Sequence, residues 1–166
     1  MIENVKTSRF VRTKSGFIST IFNLRLNRNE EKLTDKKVKE ILGMFGKRLT
    51  GYRYDQNVSQ LSYANRRRVE ISRALATEPD ILLLDEPSAG MNPQETLEIT
   101  RFIKELRDVY GLTILVIEHK LNLVKAVSDR VIVMDYGKKI CEGSFDEVSG
   151  DPKVIEAYLG KKGKRG

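Results

Sequence analysis

The chain has no tryptophan, and only one cysteine and one histidine among its 166 residues. A lone Cys141 excludes an internal disulfide. With no cluster of ligating residues around it, it says nothing of metals and reads as a small strand-packing residue in a cytosolic protein. Long hydrophobic runs are missing too: no stretch approaches the ~20 continuous apolar residues of a membrane helix. The opening Met-Ile-Glu-Asn-Val-Lys has no apolar signal-peptide core and carries an early acid. Aromatics are scarce at 7% and do not alternate with basic residues as base-stacking platforms would. The net charge of +7 is spread, with small knots at Arg66-Arg67-Arg68 and in the tail Lys161-Lys162-Gly163-Lys164-Arg165. It therefore reads as a solvated surface, or as contact with a protein partner or the inner membrane surface, and no nucleic acid is expected. The length and an apolar content of 40% suffice for one domain with a real core.

What is present divides near Ser59. Before it strands are hard to find: Leu33, Val38, Ile41, Leu42 and Phe45 recur at near-helical spacing within residues 30–45. Phe17, Ile18, Ile21, Phe22, Leu24 and Leu26 form a less periodic apolar patch, and residues 51–57 read as a loop. After Ser59 the pattern becomes β/α. A helix follows Ser62, placed as an N-cap. The run Ile-Leu-Leu-Leu-Asp85 suits a strand buried on both faces of a parallel sheet, with Asp85 and Glu86 at its carboxyl end, where ligand sites collect. A helix is predicted from Pro93 to about Tyr110, stopped by Gly111, then a strand over 113–117 and a short helix over 120–127. A strand at 130–134 turns through Asp135-Tyr136-Gly137-Lys138 into a hairpin, and a last helix runs from Pro152 to Leu159, closed by Gly160.

The chemistry-bearing residues gain weight from their company. A hydroxyl at a helix start is a ready anion site, but on its own it is usually a cap and no more. Two adjacent acids at a strand end can hold a metal ion and position or deprotonate a water. A lone histidine is, by itself, more often a packing or surface residue. Here Leu-Ser62-Tyr63-Ala64-Asn65-Arg-Arg-Arg leads, after a short gap, into Ile-Leu-Leu-Leu-Asp85-Glu86-Pro87, and His119 ends the next aliphatic run, Thr-Ile-Leu-Val-Ile-Glu118. Together these resemble the signature helix, Walker B strand and switch histidine of an ATP-binding-cassette (ABC) ATPase. The loop Ala89-Gly90-Met91-Asn92-Pro93 and the tail Asp151-Pro-Lys-Val-Ile-Glu-Ala-Tyr-Leu-Gly160 are similar to those of branched-chain amino-acid import ATPases.

The resemblance implies an α/β fold: a partial P-loop NTPase of the ABC ATPase type, with a helical subdomain followed by half of a mostly parallel sheet with flanking helices. Residues 1–58 would be the helical subdomain portion, 59–150 the signature, Walker B, D-loop and switch part of the core, and 151–166 the C-terminal helix and basic tail. It implies ATP and Mg²⁺ as cofactors. Asp85 would orient Mg²⁺ through water, Glu86 would be the general base and His119 the switch residue reaching the γ-phosphate. Ser62, Tyr63, Ala64 and Asn65 would face a partner's ATP, and Ala89, Gly90 and Asn92 would form the D-loop crossing to the opposing subunit. Ala64 stands where the family has its second glycine, so a methyl group would narrow the approach to phosphate, and Asn65 replaces glutamine.

The implied partners are a second ABC ATPase subunit (homo- or heterodimeric), transmembrane permease subunits and, indirectly, a substrate-binding protein. The implied setting is peripheral, on the inner face of the cytoplasmic membrane. The pattern Gly-x-x-x-x-Gly-Lys-Ser/Thr is absent from the 166 residues; Gly43-Met-Phe-Gly46-Lys47-Arg48 has the wrong spacing. Neither a base-stacking aromatic strand nor a Q-loop precedes Asp85. Three readings follow: a partial importer ATPase energising branched-chain amino-acid transport, a signature-donating or regulatory module without its own P-loop, and a lobe of a DNA-repair or chromosome-maintenance ATPase. The last predicts sustained coiled-coil heptads, which the sequence lacks.

Overall fold

A computed structural model describes residues 1–12 and 24–159, with side chains from residues 1–9 and 30–158. The side chains of the patch at 16–26 and the basic tail lie outside the described residues. Helix α1 (Ile2–Lys6) and a 3-10 turn (Thr7–Arg12) open the chain, and α2 (Leu24–Gly43) follows, longer at its start than the predicted helix. Val38 and Leu42 on α2 are fully buried, as is Leu49 beyond it, whereas Leu33 is exposed. Residues 51–57, expected as a loop, begin with a 3-10 turn at Gly51–Asp55.

Ser62 then caps α3 (Tyr63–Leu75), its hydroxyl accepting from the Asn65 backbone N–H at 3.4 Å. Past α3, Glu78 adopts φ +50° immediately before Pro79. Proline lacks an N–H and keeps the residue before it out of the helical region, so the helix, which ends at Leu75, cannot run on past Glu78.

Strand β1 (Ile81–Asp85) pairs in parallel with β2 (Thr113–Ile117), from Ile81 opposite Thr113 to Asp85 opposite Ile117. Between them runs α4 (Pro93–Asp108), completing a βαβ unit. Its start was legible from Pro93, but the cap is stronger than proline alone. Asn92 accepts from the Glu95 N–H at 2.9 Å, while the Glu95 carboxylate accepts from the Asn92 N–H at 3.1 Å. Gly111, at φ +67°, turns the chain back toward β2.

Helix α5 (Leu121–Val127) leads to a separate antiparallel hairpin of β3 (Val131–Asp135) and β4 (Lys138–Gly143). Tyr136 and Gly137 both take positive φ, as a two-residue hairpin turn matched to strand twist requires. A helix the sequence reading missed, α6 (Phe145–Gly150), is started by a capping box between Ser144 and Glu147. Helix α7 (Pro152–Leu159) stands where the terminal helix was predicted.

One apolar cluster joins these parts. Val38, Leu42 and Leu49 pack with Val69 and Ile71 of α3, Leu82 and Leu84 of β1, and Ile99, Ile103 and Leu106 of α4. The Phe45 and Phe102 rings meet with centroids 4.1 Å apart. Each fully buried aliphatic side chain of this kind contributes on the order of 1.5–3 kcal/mol.

The sheet departs from expectation in one respect. Leu82 and Leu84 are buried, but Ile81 and Leu83 are 59% and 69% exposed, as are Leu115 and Ile117 at 56% and 61%. Alternate residues of a strand face opposite sides, and among the described residues the helices cover one side only. The unbroken aliphatic run is thus buried on one face and open on the other.

Candidate functional site

The carboxyl ends of β1 and β2 bring Glu86 and His119 together, with Asp85 at the last paired position of β1. The Glu86 N–H donates to the Ile117 carbonyl at 2.9 Å, extending the ladder by one bond before the chains diverge. Glu86 then turns at φ +43°. A non-glycine residue held left-handed costs roughly 1–2 kcal/mol, and such outliers cluster at functional sites. Its carboxylate Oε1 lies 3.5 Å from His119 Nδ1, both side chains half or more exposed. Asp85 and Glu86 face solvent, so neither is a buried acid in need of a partner.

The buried acid is the neighbour that the sequence reading passed over. The Glu118 side chain is 0% exposed. Its Oε1 accepts from both the N–H (3.0 Å) and the hydroxyl of Ser88. Its Oε2 accepts from the N–H groups of His119 (3.1 Å) and Lys120 (3.3 Å). Burial pushes this carboxyl upward, but the Ser88 hydroxyl and the three backbone donors outweigh it and hold the group below the ordinary 4.5. Lys120 Nζ donates to the Ser88 carbonyl and to Thr96 Oγ1, both at 3.0 Å, reaching the first turn of α4. The sequence offered only weak signals for this network: an acid beside the histidine, and a serine two residues past Glu86.

The signature-like residues form a second group at the start of α3. Ser62 and Tyr63 are exposed, whereas Ala64 and Asn65 are buried. Ala64 belongs to the core cluster, so its methyl is accommodated inside rather than crowding the helix start. The Asn65 side chain is spoken for: its Oδ1 accepts from Arg68 Nη1 at 3.0 Å. Arg68 in turn donates to Glu98 Oε2 at 2.9 Å, tying α3 to α4. The Arg66 and Arg67 guanidinium carbons lie 6.0 and 5.6 Å from the Tyr63 ring centroid.

Gly90 joins the two groups. It takes φ +67°, and a Cβ there would lie 3.0 Å from Cε1 of Tyr63. Ala89 is held by its N–H to the Glu86 carbonyl at 3.0 Å, and Asn92 caps α4. The structure therefore brings Glu86 to His119, and Tyr63 to Gly90. It does not bring Ser62, Ala64 or Asn65 into the Glu86–His119 pair.

Among the described residues no group of three His, Cys, Asp or Glu side chains could hold a metal ion. That suits Mg²⁺ only in the mode where one or two carboxylates share the ion with phosphate oxygens. Asp85, exposed at the strand end, fits that mode; it does not fit a resident metal held by protein alone. No helix among the described residues is long and apolar enough to cross a membrane.

The family model described as ABC transporter matches residues 2–89, more than half of the chain. The chain belongs to the ABC transporter family. A second model, described as branched-chain amino acid ATP-binding cassette transporter, matches residues 138–163.

The high-affinity branched-chain amino acid transport ATP-binding protein LivG of Salmonella typhimurium is 46% identical over 107 residues, covering 64% of this chain and 42% of LivG. The methionine import ATP-binding protein MetN of Haemophilus ducreyi is 40% identical over 140 residues, covering 84% of this chain and 40% of MetN. The solved structure of MJ1267, an ATP-binding cassette of an ABC transporter, matches with a TM-score of 0.75 at 32% identity, over 96% of this chain and 62% of that one. This ABC chain thus spans about two fifths of the length of the curated relatives it matches.

Proposed function

We propose that this chain is the signature and Walker B portion of an ATP-hydrolysing subunit of an ABC importer for branched-chain amino acids. The observation that carries the reading is the approach of Glu86 to His119, 3.5 Å apart where two parallel strands end. The match of residues 138–163 to the branched-chain type, and the identity with LivG, support the substrate class.

In this reading residues 1–58 belong to the helical subdomain, 59–150 to the catalytic core and 151–166 to the C-terminal extension. Asp85 would hold Mg²⁺, which would neutralise charge on phosphate oxygens. Glu86 accepts the proton of the attacking water, and its exposure at the strand end leaves the carboxylate reachable. His119 sits beside Glu86 and orients the same water and the terminal phosphate. Ser62 and the backbone N–H groups at the start of α3 face a nucleotide held by a second ATPase subunit, as a helix N-terminus favours an anion. Gly90 holds the loop of residues 89–92 against Tyr63, so that loop and signature move together. The partners are that second subunit and transmembrane permease subunits, on the inner face of the cytoplasmic membrane.

Since the 166 residues contain no P-loop pattern, the phosphate cradle comes from outside them. The isolated chain is expected to show no ATP binding at micromolar protein with Mg²⁺. Mixed with a full-length LivG-type relative, the chain should change the hydrolysis rate, and Ser62→Arg should abolish the change. Tight binding by the chain alone, or hydrolysis indifferent to Ser62→Arg, refutes the reading.

A further inference from the structure

We propose that Glu118 is a positioning residue that locks the loop after β1 to the loop after β2, and so sets the approach of Glu86 to His119. The proposal rests on the functional reading above, because it concerns the geometry of that pair. Glu118 does not face the solvent-exposed site. Its carboxylate lies inside, bridging two chain segments 30 residues apart in sequence.

The bridge is two-sided. One oxygen takes both donors of Ser88, and the other takes the N–H groups of His119 and Lys120. Ser88 is itself fully buried, and its carbonyl is held by Lys120 Nζ. The segment after β2 therefore grips the loop after β1 twice, once through Glu118 and once through Lys120. Glu86 lies two residues before Ser88, and His119 directly follows Glu118. Fixing Ser88 to the 118–120 segment leaves little freedom for the distance between the two functional side chains.

Only an ionised carboxylate serves this purpose. It offers acceptor sites on both oxygens and no proton to clash with four converging donors. Glutamine has the same shape but presents an NH₂ on one side, which must face either Ser88 or the His119–Lys120 amides. One half of the bridge then fails while volume is conserved. A role confined to capping the segment after β2 would involve only the His119 and Lys120 donors. The Ser88 half is what makes Glu118 a link between loops.

The test uses the full 166-residue chain, with amide hydrogen exchange and NMR of its single imidazole. In Glu118→Gln, exchange should accelerate about tenfold or more on at least one side of the bridge, at Ser88 or at His119 and Lys120, while amides at Ile103 and Leu106 in the core of α4 stay unchanged. The nuclear Overhauser contact between the His119 ring and the Glu86 side chain should be lost. Ser88→Ala, which removes only the hydroxyl, should raise exchange at His119 and Lys120 several-fold across the gap, and this decides the matter even where the glutamine variant fails to fold.

No acceleration at Ser88, His119 or Lys120 in Glu118→Gln, or no effect of Ser88→Ala on the His119 and Lys120 amides, overturns the proposal. So does a His119–Glu86 contact that survives both substitutions. Adding a complete LivG-type partner with ATP separates the two readings. If the wild-type chain leaves hydrolysis unchanged there, the functional proposal falls, while the exchange data still decide whether Glu118 links the loops.

Discussion

The ion pair between Arg68 and Glu98 offers the most direct test of how α3 is held. The Arg68 side chain is 3% exposed, with its guanidinium shared between Asn65 Oδ1 and Glu98 Oε2. Burial pulls the Arg68 pKa down, and Glu98 works against that pull. Glu98→Ala strands the buried charge. Breaking a buried pair from one side costs about 3–5 kcal/mol where no water can follow. Glu98 is 29% exposed, so water entering the vacated space should reduce the cost to roughly 2–3 kcal/mol. Arg48, the second partner of Glu98, is 50% exposed, and Arg48→Ala should cost only about 0–1 kcal/mol. Replacing both partners, as Arg68→Met with Glu98→Leu, removes the stranded charge and should cost less than Glu98→Ala alone. Urea denaturation with an unchanged m-value measures all four chains. A Glu98→Ala variant within about 0.5 kcal/mol of wild type, a shift typical of ordinary surface changes, would refute the claim that α4 anchors α3 through this charge.

Two further outcomes are expected. Gly90→Ala, at φ +67° with its new Cβ 3.0 Å from the Tyr63 ring, should cost about 1–2 kcal/mol in denaturation. In a Tyr63→Ala background only the backbone part, about 1 kcal/mol, should remain; an unchanged cost there removes the ring contact from the explanation. As for pH, Glu118 is depressed below its ordinary 4.5, so its contribution to stability is fully present above that value and fades as pH falls through the lower folded value. The thermal midpoint should drop on acidification below about pH 4.5, and less steeply in Glu118→Gln; equal slopes in the two chains would contradict the assignment.

The local rules written into the sequence carried a long way. Ser62 as a cap, Pro93 as a helix start, Gly111 as a stop and Tyr136-Gly137 as a hairpin turn all depend on neighbours within a few residues, and each element forms where those signals stand. The capping box of Ser144 and Glu147 was readable by the same rule and was missed. The family was legible as well, because the Ser62–Asn65 and Asp85–Glu86 segments that resemble it both lie within residues 2–89, which the ABC transporter model matches. Tertiary structure alone decided which face of β1 is covered, because a run of four aliphatic residues has no alternation to distinguish its sides. It also decided which acid is buried. Nothing local separates Glu118 from Glu86, and only the meeting of two strand ends encloses one carboxylate among four donors while leaving the other in water. The pairing of Arg68 with Glu98 likewise spans 30 residues and exists only once α3 and α4 have packed.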